Sequence, residues 1–315
     1  MRGLRWDGRE LRLATDLPEP TPAPGEALVR IGLAGICRTD LEICRGYLGF
    51  RGTPGHEWVG VVVAAAQRPA LVGARVVGEI NFGCGACATC RSGLARHCAT
   101  RRVQGIAGAD GAFAERLAAP ICVLHRVPDG MDDATAVFAE PVAAAFEIVE
   151  QLGDVSGRRA VVLGDGKLGL LVAQALSASG VRVTLAGHHP AKLAVAARLG
   201  LATGRPAPGA DLVVDATGSP GALAEALALV RPRGTVVLKT TVAAQHALDL
   251  APAVINEVTI VGSRCGSFPP ALDALAAGRV RVASLVEATY PLADGVAAFA
   301  HAVRAGALKV LVCPD

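Results

Sequence analysis

The chain has 315 residues, 52% hydrophobic and 19% charged, and its 31 Lys plus Arg against 28 Asp plus Glu leave a net charge of +3. That length suits about two domains with cores of their own and excludes a disordered chain or a disulfide-stapled mini-protein. The small positive excess, spread over scattered arginines, excludes a nucleic-acid partner, and the lack of any run near about 18 apolar residues excludes a membrane span.

Charges within Met1–Asp7 stand where a secretory segment needs an apolar run, so the expected location is the cytoplasm. Segments 26–32, 57–65 and 74–77 are short, β-branched-rich and bounded by Gly and Pro, which predicts an irregular β domain. Cys37-Arg38-Thr39-Asp40 follows the first of these strands, and Gly55-His56-Glu57 opens the second. Cys37, His56 and one of two glutamates, Glu57 or Glu140, could supply the three N, S or O ligands of a catalytic zinc with an open fourth position. Each of these residues alone has an ordinary structural explanation, because lone cysteines and histidines commonly belong to a core.

Next in order comes Cys84-x2-Cys87-x2-Cys90-x7-Cys98 inside a Gly-rich loop. In a reducing compartment four thiols so close point to a closed tetrahedral zinc, a structural site, rather than to disulfides or an iron–sulfur cluster. Cys44, Cys122, Cys265 and Cys313 read as core thiols, and His125, His246 and His301 as surface or internally bonded residues.

From about residue 132 the chain turns alanine-rich and helical, and from 159 strands alternate with helices as a doubly wound parallel sheet requires. Strands are expected over 159–163, 181–186, 212–216, 235–240 and 258–263, with helices over 166–179, 191–199 and 221–230. Segment 201–210 is too short and Pro-rich for a complete βα unit, so the sheet is expected to be trimmed by one. Gly164-Asp165-Gly166-Lys167-Leu168-Gly169 sits between the first strand and its helix, the context in which G-x-G-x-x-G cradles a dinucleotide pyrophosphate. The acidic residue expected about twenty positions on is missing; Gly187 stands there, followed by His188 and, in the next helix, Lys192. Without a carboxylate to repel a 2′-phosphate, and with His188 or Lys192 able to pair with one, the sequence favours NADP over NAD. Arg264, just after the last strand, is a further candidate for cofactor phosphate or ribose.

Taken together, these motifs resemble the zinc-dependent medium-chain dehydrogenase/reductase family, which includes alcohol, sorbitol and threonine dehydrogenases. The likeness covers nearly the whole chain. It runs through Pro18-Glu19-Pro20, Cys37-x-Thr39-Asp40, Gly55-His56-Glu57, the four cysteines, Gly111-Ala-Phe113-Ala-Glu115, Glu140-Pro141, the glycine fingerprint and Asp215-Ala216-Thr217-Gly218. The resemblance implies a GroES-like catalytic domain over 1–139 and 268–315, with a structural zinc lobe at 84–98, and a Rossmann domain over 140–267. It makes Cys37, His56 and Glu140 catalytic-zinc ligands, with Glu57 a nearby carboxylate able to exchange on the metal. Asp40 would hold the His56 ring, Thr39 would begin a proton relay, and Arg38 would meet the cofactor pyrophosphate. Glu42 stands where many members end the relay with histidine. Ala216 and Thr217 would help hold the nicotinamide. The implied function is hydride transfer between NAD(P) and a secondary alcohol, polyol or ketone, with two zincs per chain, in a homodimer or homotetramer. The competing reading is a non-catalytic dinucleotide-binding scaffold or sensor that keeps only the structural zinc.

Overall fold

The computed structural model describes residues 1–240 and 248–314; His246 lies outside them. The chain forms two compact units, Met1–Glu140 with Val286–Asp315, and Pro141–Leu285. No helix among the described residues is long and apolar enough to cross a membrane.

The organising strand of the first unit is Glu26–Gly35. Its alternating apolar residues bury Ala27, Val29 and Ile31, and burial becomes continuous over Leu33, Ala34 and Gly35. A strand that is one-sided at its start is therefore enclosed at its end, which carries the chain into the interior beside Cys37. Glu57–Ala64 pairs with it antiparallel, Gly35 opposite Glu57. On its other edge lie Arg116–Pro120 and then the last strand, Lys309–Cys313, with Gly35 opposite Leu311. The core over this sheet gathers Val29, Ile31, Phe113 and Phe299, the two Phe rings edge to face at 5.2 Å. A smaller sheet pairs Asn81–Phe82 with Arg102–Gln104, and the four-cysteine lobe is the excursion between those two strands.

The second unit is a six-stranded parallel sheet. Its spatial order is Ala202–Thr203, Arg182–Ala186, Arg159–Leu163, Ala210–Asp215, Val230–Leu238 and Thr259–Gly262. This is the doubly wound order, whose reversal point falls between the first and fourth strands in chain order. The expected trimming is visible in detail: the third strand survives as the two residues Ala202–Thr203, while its crossover helix is replaced by residues 204–209. The fifth strand starts at Val230, earlier than expected, and the local register shift between Ala210 and Leu212 accommodates the extra length. Residues 268–285, assigned to the catalytic domain from sequence, group with this unit. The reason is bonding: Arg281 N donates to Gln174 Oε1 (2.8 Å), Gln174 Nε2 donates back to Arg281 O (3.2 Å), and Arg281 Nη2 donates to Leu199 O (2.6 Å).

Candidate active site

Where Glu26–Gly35 ends, a short helix, Arg38–Ile43, begins with Cys37 at its N-cap. Asp40, fully buried, turns back so that the Cys37 N–H donates to its Oδ2 at 2.8 Å. Its other oxygen receives the Gly55 N–H at 3.2 Å and lies 3.1 Å from His56 Nδ1. One carboxylate thereby fixes two chain segments fifteen and more residues apart and orients the imidazole between them. Burial alone would lower the pKa of His56, but the Asp40 charge and hydrogen bond, then Cys37, raise it well above its ordinary value.

The result is a cluster of Cys37, His56 and Glu57 whose ligand atoms all lie within 4.8 Å of one another. A thiolate, an imidazole and a carboxylate gathered in this way are a donor set of the kind that holds a catalytic zinc. Glu140, the other expected ligand, is not among these three; it sits in the first turn of Ala139–Leu152. Sequence reading missed the cation. Lys309, 2% exposed, pairs with Glu57 Oε2 and lies 5.3 Å from the centre of the Phe138 ring. Burial opposes its charge, but Glu57 first, then Cys37 and Glu140, raise its pKa. Gly35 makes room, since a Cβ there would stand 2.7 Å from Glu57 Oε2. The signal was a lysine flanked by Leu308 and Val310 at the start of an apolar strand, one of four lysines in the chain.

The relay candidates are less concentrated. Thr39 Oγ1 is 3.9 Å from Cys37 Sγ. Glu42 Oε1 accepts from Arg38 Nε at 2.7 Å and from Arg45 Nη1 at 3.0 Å, so Glu42 and Arg38 engage each other on the helix exterior.

The four-cysteine lobe forms a second cluster. Cys84 and Cys90 Sγ are 3.9 Å apart, as are Cys87 and Cys98 Sγ, close to the edge of about 3.8 Å that a tetrahedron with Zn–S bonds of about 2.3 Å would have. Backbone N–H groups of Cys84, Cys87 and Cys90 donate to sulfurs. The Thr100 hydroxyl and the Cys84 N–H hold the Cys98 thiol down to about 6. Outside the lobe, burial and the Asp40 charge push Cys44 up to about 12, the state of an inert core thiol.

In the second unit Gly164 (φ +109°) brings its backbone against that of Ala216, where a Cβ would be 2.7 Å from Ala216 O, and a Cβ on Gly169 would meet Gly164 O at 1.8 Å. Gly166 caps the helix Lys167–Ala178, so Lys167 and Leu168 are its first residues. Asp215 Oδ1 accepts from Thr217 N (2.9 Å) and Thr217 Oγ1 (2.8 Å), turning the chain out of its strand at Ala216. Arg264 is exposed and its carbonyl accepts from the buried Lys239 Nζ at 2.5 Å. Beside Gly187 lies the Asp165 carboxylate, 2.8 Å from His188 N and 2.7 Å from His189 N; Lys192 is half-buried on the next helix.

Residues 23–129 match the alcohol dehydrogenase GroES-like domain, and residues 168–277 match the zinc-binding dehydrogenase domain. D-altritol 5-dehydrogenase of Agrobacterium fabrum (strain C58) is 32% identical to this chain over 316 residues, covering 93% of this chain and 94% of that protein. The chain belongs to the medium-chain dehydrogenase/reductase family. Among solved members of that family, a short chain alcohol dehydrogenase from Escherichia coli CFT073, complexed with NADH, superposes with a TM-score of 0.92 at 27% identity, covering 99% of each chain. A candidate zinc-binding dehydrogenase from Sinorhizobium meliloti 1021, bound to NADP, gives 0.91 at 27% identity, again over 99% of each. The GroES-like and Rossmann architecture is thus the family's, and the chain is an oxidoreductase of its alcohol and polyol dehydrogenase class.

Proposed function

We propose that this dehydrogenase catalyses zinc-dependent, reversible hydride transfer between the carbinol carbon of a secondary alcohol or polyol and NAD or NADP. One observation carries the reading: Cys37, His56 and Glu57 converge within 4.8 Å, with Asp40 bonded to both segments that bring them there. When bound, zinc supplies Lewis acidity toward an alcohol oxygen, and the dinucleotide supplies the hydride acceptor.

The chain's own residues do the rest. The Cys37 thiolate, the His56 imidazole and a carboxylate from Glu57 or Glu140 would hold the catalytic ion. Asp40, by facing Nδ1, leaves Nε2 of His56 as the ligating nitrogen. Thr39 would take the substrate hydroxyl proton, and Glu42 would receive it onward only by giving up part of its pairing with Arg38 and Arg45. Arg38, so released, would turn to the cofactor pyrophosphate. Gly164, Gly166 and Gly169, with the N–H groups of Lys167 and Leu168, would cradle that pyrophosphate. Gly187, His188 and Lys192 would flank the adenosine ribose, Ala216 and Thr217 the nicotinamide half, and Arg264 a phosphate or ribose. A second zinc would close the four-cysteine lobe. The enzyme would work in the cytoplasm as a homodimer or homotetramer.

Metal analysis of purified protein tests the reading. Two zincs per chain are expected in the wild type, and one in Cys37→Ala and in Cys98→Ser. Cys37→Ala should keep its fold by circular dichroism and lose turnover across a secondary-alcohol and polyol panel. A single zinc in fully loaded wild type, with no redox activity on that panel, would defeat it.

A further inference from the structure

In a doubly wound dinucleotide fold, the end of the second strand meets the adenosine ribose, and a carboxylate there accepts the 2′-hydroxyl of NAD. The strand Arg182–Ala186 ends instead on Gly187, which by sequence leaves the place empty of charge. The structure fills it from elsewhere. Asp165, inside the turn between Gly164 and Gly166, reaches across so that a Cβ on Gly187 would stand 2.3 Å from its Oδ2 and 2.5 Å from its Cγ. The carboxylate occupies the space a side chain at 187 would need. Glycine at 187 is therefore the condition for this arrangement.

Asp165 is 4% exposed. Its Oδ2 accepts from the backbone N–H groups of His188 (2.8 Å) and His189 (2.7 Å), and its Oδ1 lies 2.8 Å from His189 Nδ1. Burial by itself would raise its pKa, but the bonds from His189 and His188 outweigh this and hold it below the ordinary carboxylate range. Two consequences follow for a 2′-phosphate. The N–H groups that could have cradled it are already spent on a carboxylate, and the site holds a fixed negative charge against a second anion. Of the groups that favour phosphate, His188 is exposed and Lys192 half-buried on the next helix.

We propose that Asp165 sets cofactor choice, giving this chain selectivity for NAD(H) over NADP(H) by returning, from the glycine loop, the carboxylate that the second strand lacks. The proposal rests on the reading of the second unit as a nicotinamide-dinucleotide site and reverses the preference for NADP drawn from sequence. It does not depend on the metals.

Fluorescence titration of the intact protein with NADH and with NADPH, without alcohol, tests it directly. Wild type should bind NADH roughly tenfold or more tightly than NADPH, the weight of one charge-assisted hydrogen bond. Asp165→Asn should move the ratio of the two Kd values toward NADPH by a similar factor. The double variant Asp165→Gly with Gly187→Asp, which returns the carboxylate to the strand end, should keep the preference for NADH. Equal or tighter binding of NADPH by wild type overturns the proposal even if no variant folds. So does an unchanged Kd ratio in Asp165→Asn. Failure of wild type to bind either dinucleotide would remove the underlying site reading as well, a result distinct from a wrong preference.

Discussion

A buried ammonium stays charged only where opposite charge lies close, and Lys309 has Glu57 in contact with Cys37 and Glu140 nearby. Its partner is 252 residues away in sequence, so the pair locks the last strand of the first unit to the segment that carries His56. Removing one member strands the other charge in the interior. Lys309→Met should cost about 3–5 kcal/mol of unfolding free energy at neutral pH, read from urea titration of the whole chain. Adding Glu57→Gln should recover most of that loss. A double variant as unstable as the single one would show that the lysine acts through shape rather than charge.

At the scale of elements, His56 rests on stacked backbone. Gly55 has φ +106°, and a Cβ on Gly111 would stand 2.2 Å from Gly55 O, one on Gly105 2.4 Å from it. The Gly111 N–H donates to Thr53 O (2.7 Å) and the Ala112 N–H to Gly55 O (2.9 Å), so three loops meet with no side chain between them. Gly111→Ala should cost about 3 kcal/mol and displace His56. The expected outcome is a lower melting temperature with zinc lost from the Cys37 site and retained by the cysteine lobe. Unaltered metal content would show that the loop yields elsewhere. The lobe has its own anchor, the pairing of Asn81 with Val103 and Phe82 with Arg102 at its base.

Across the whole molecule, several carboxylates are held below their ordinary range by donors far along the chain. Asp211 accepts from the Arg159 N–H at 2.8 Å and from Arg231 Nε at 2.6 Å, and these two, in that order, lower its pKa. A folded-state pKa below the unfolded one adds stability above about 3.8 that disappears as pH falls through the folded value. Asp211→Asn should therefore be less stable than wild type by about 1 kcal/mol at pH 7, and the two urea midpoints should converge below pH 4. A difference that persists in acid would assign the effect to packing. What could be read beforehand divides along the same line of distance. The cysteine lobe and the glycine turn were legible because their parts lie within about fifteen residues and their spacing is the chemistry. Asp40 was legible only through the family resemblance, as the partner of His56, and its bond to the Cys37 N–H was not foreseen. Lys309 was not, because its meaning comes from a partner on another strand. Asp165 was read only as a variable position of the fingerprint, since nothing in the spacing says that its side chain turns toward Gly187.

The replaced crossover helix has a mechanical meaning of its own. Residues 204–209 must carry the chain past two intervening strands, about 14 Å sideways at ordinary strand spacing, and also back from the level of Leu185 to that of Arg159. The direct path is about 17 Å and seven peptide steps reach at most about 25 Å, so the connection runs extended with modest slack, stiffened by Pro206 and Pro208. Its tolerance is one-sided: extra residues would only slacken it, whereas the loss of two or more would bring its reach down to the span and strain the pairing of the stub Ala202–Thr203. The edge of the dinucleotide sheet is thus closed by a short extended link in place of a packed crossover helix, and its stub stays in place through pairing with Thr184 and Leu185.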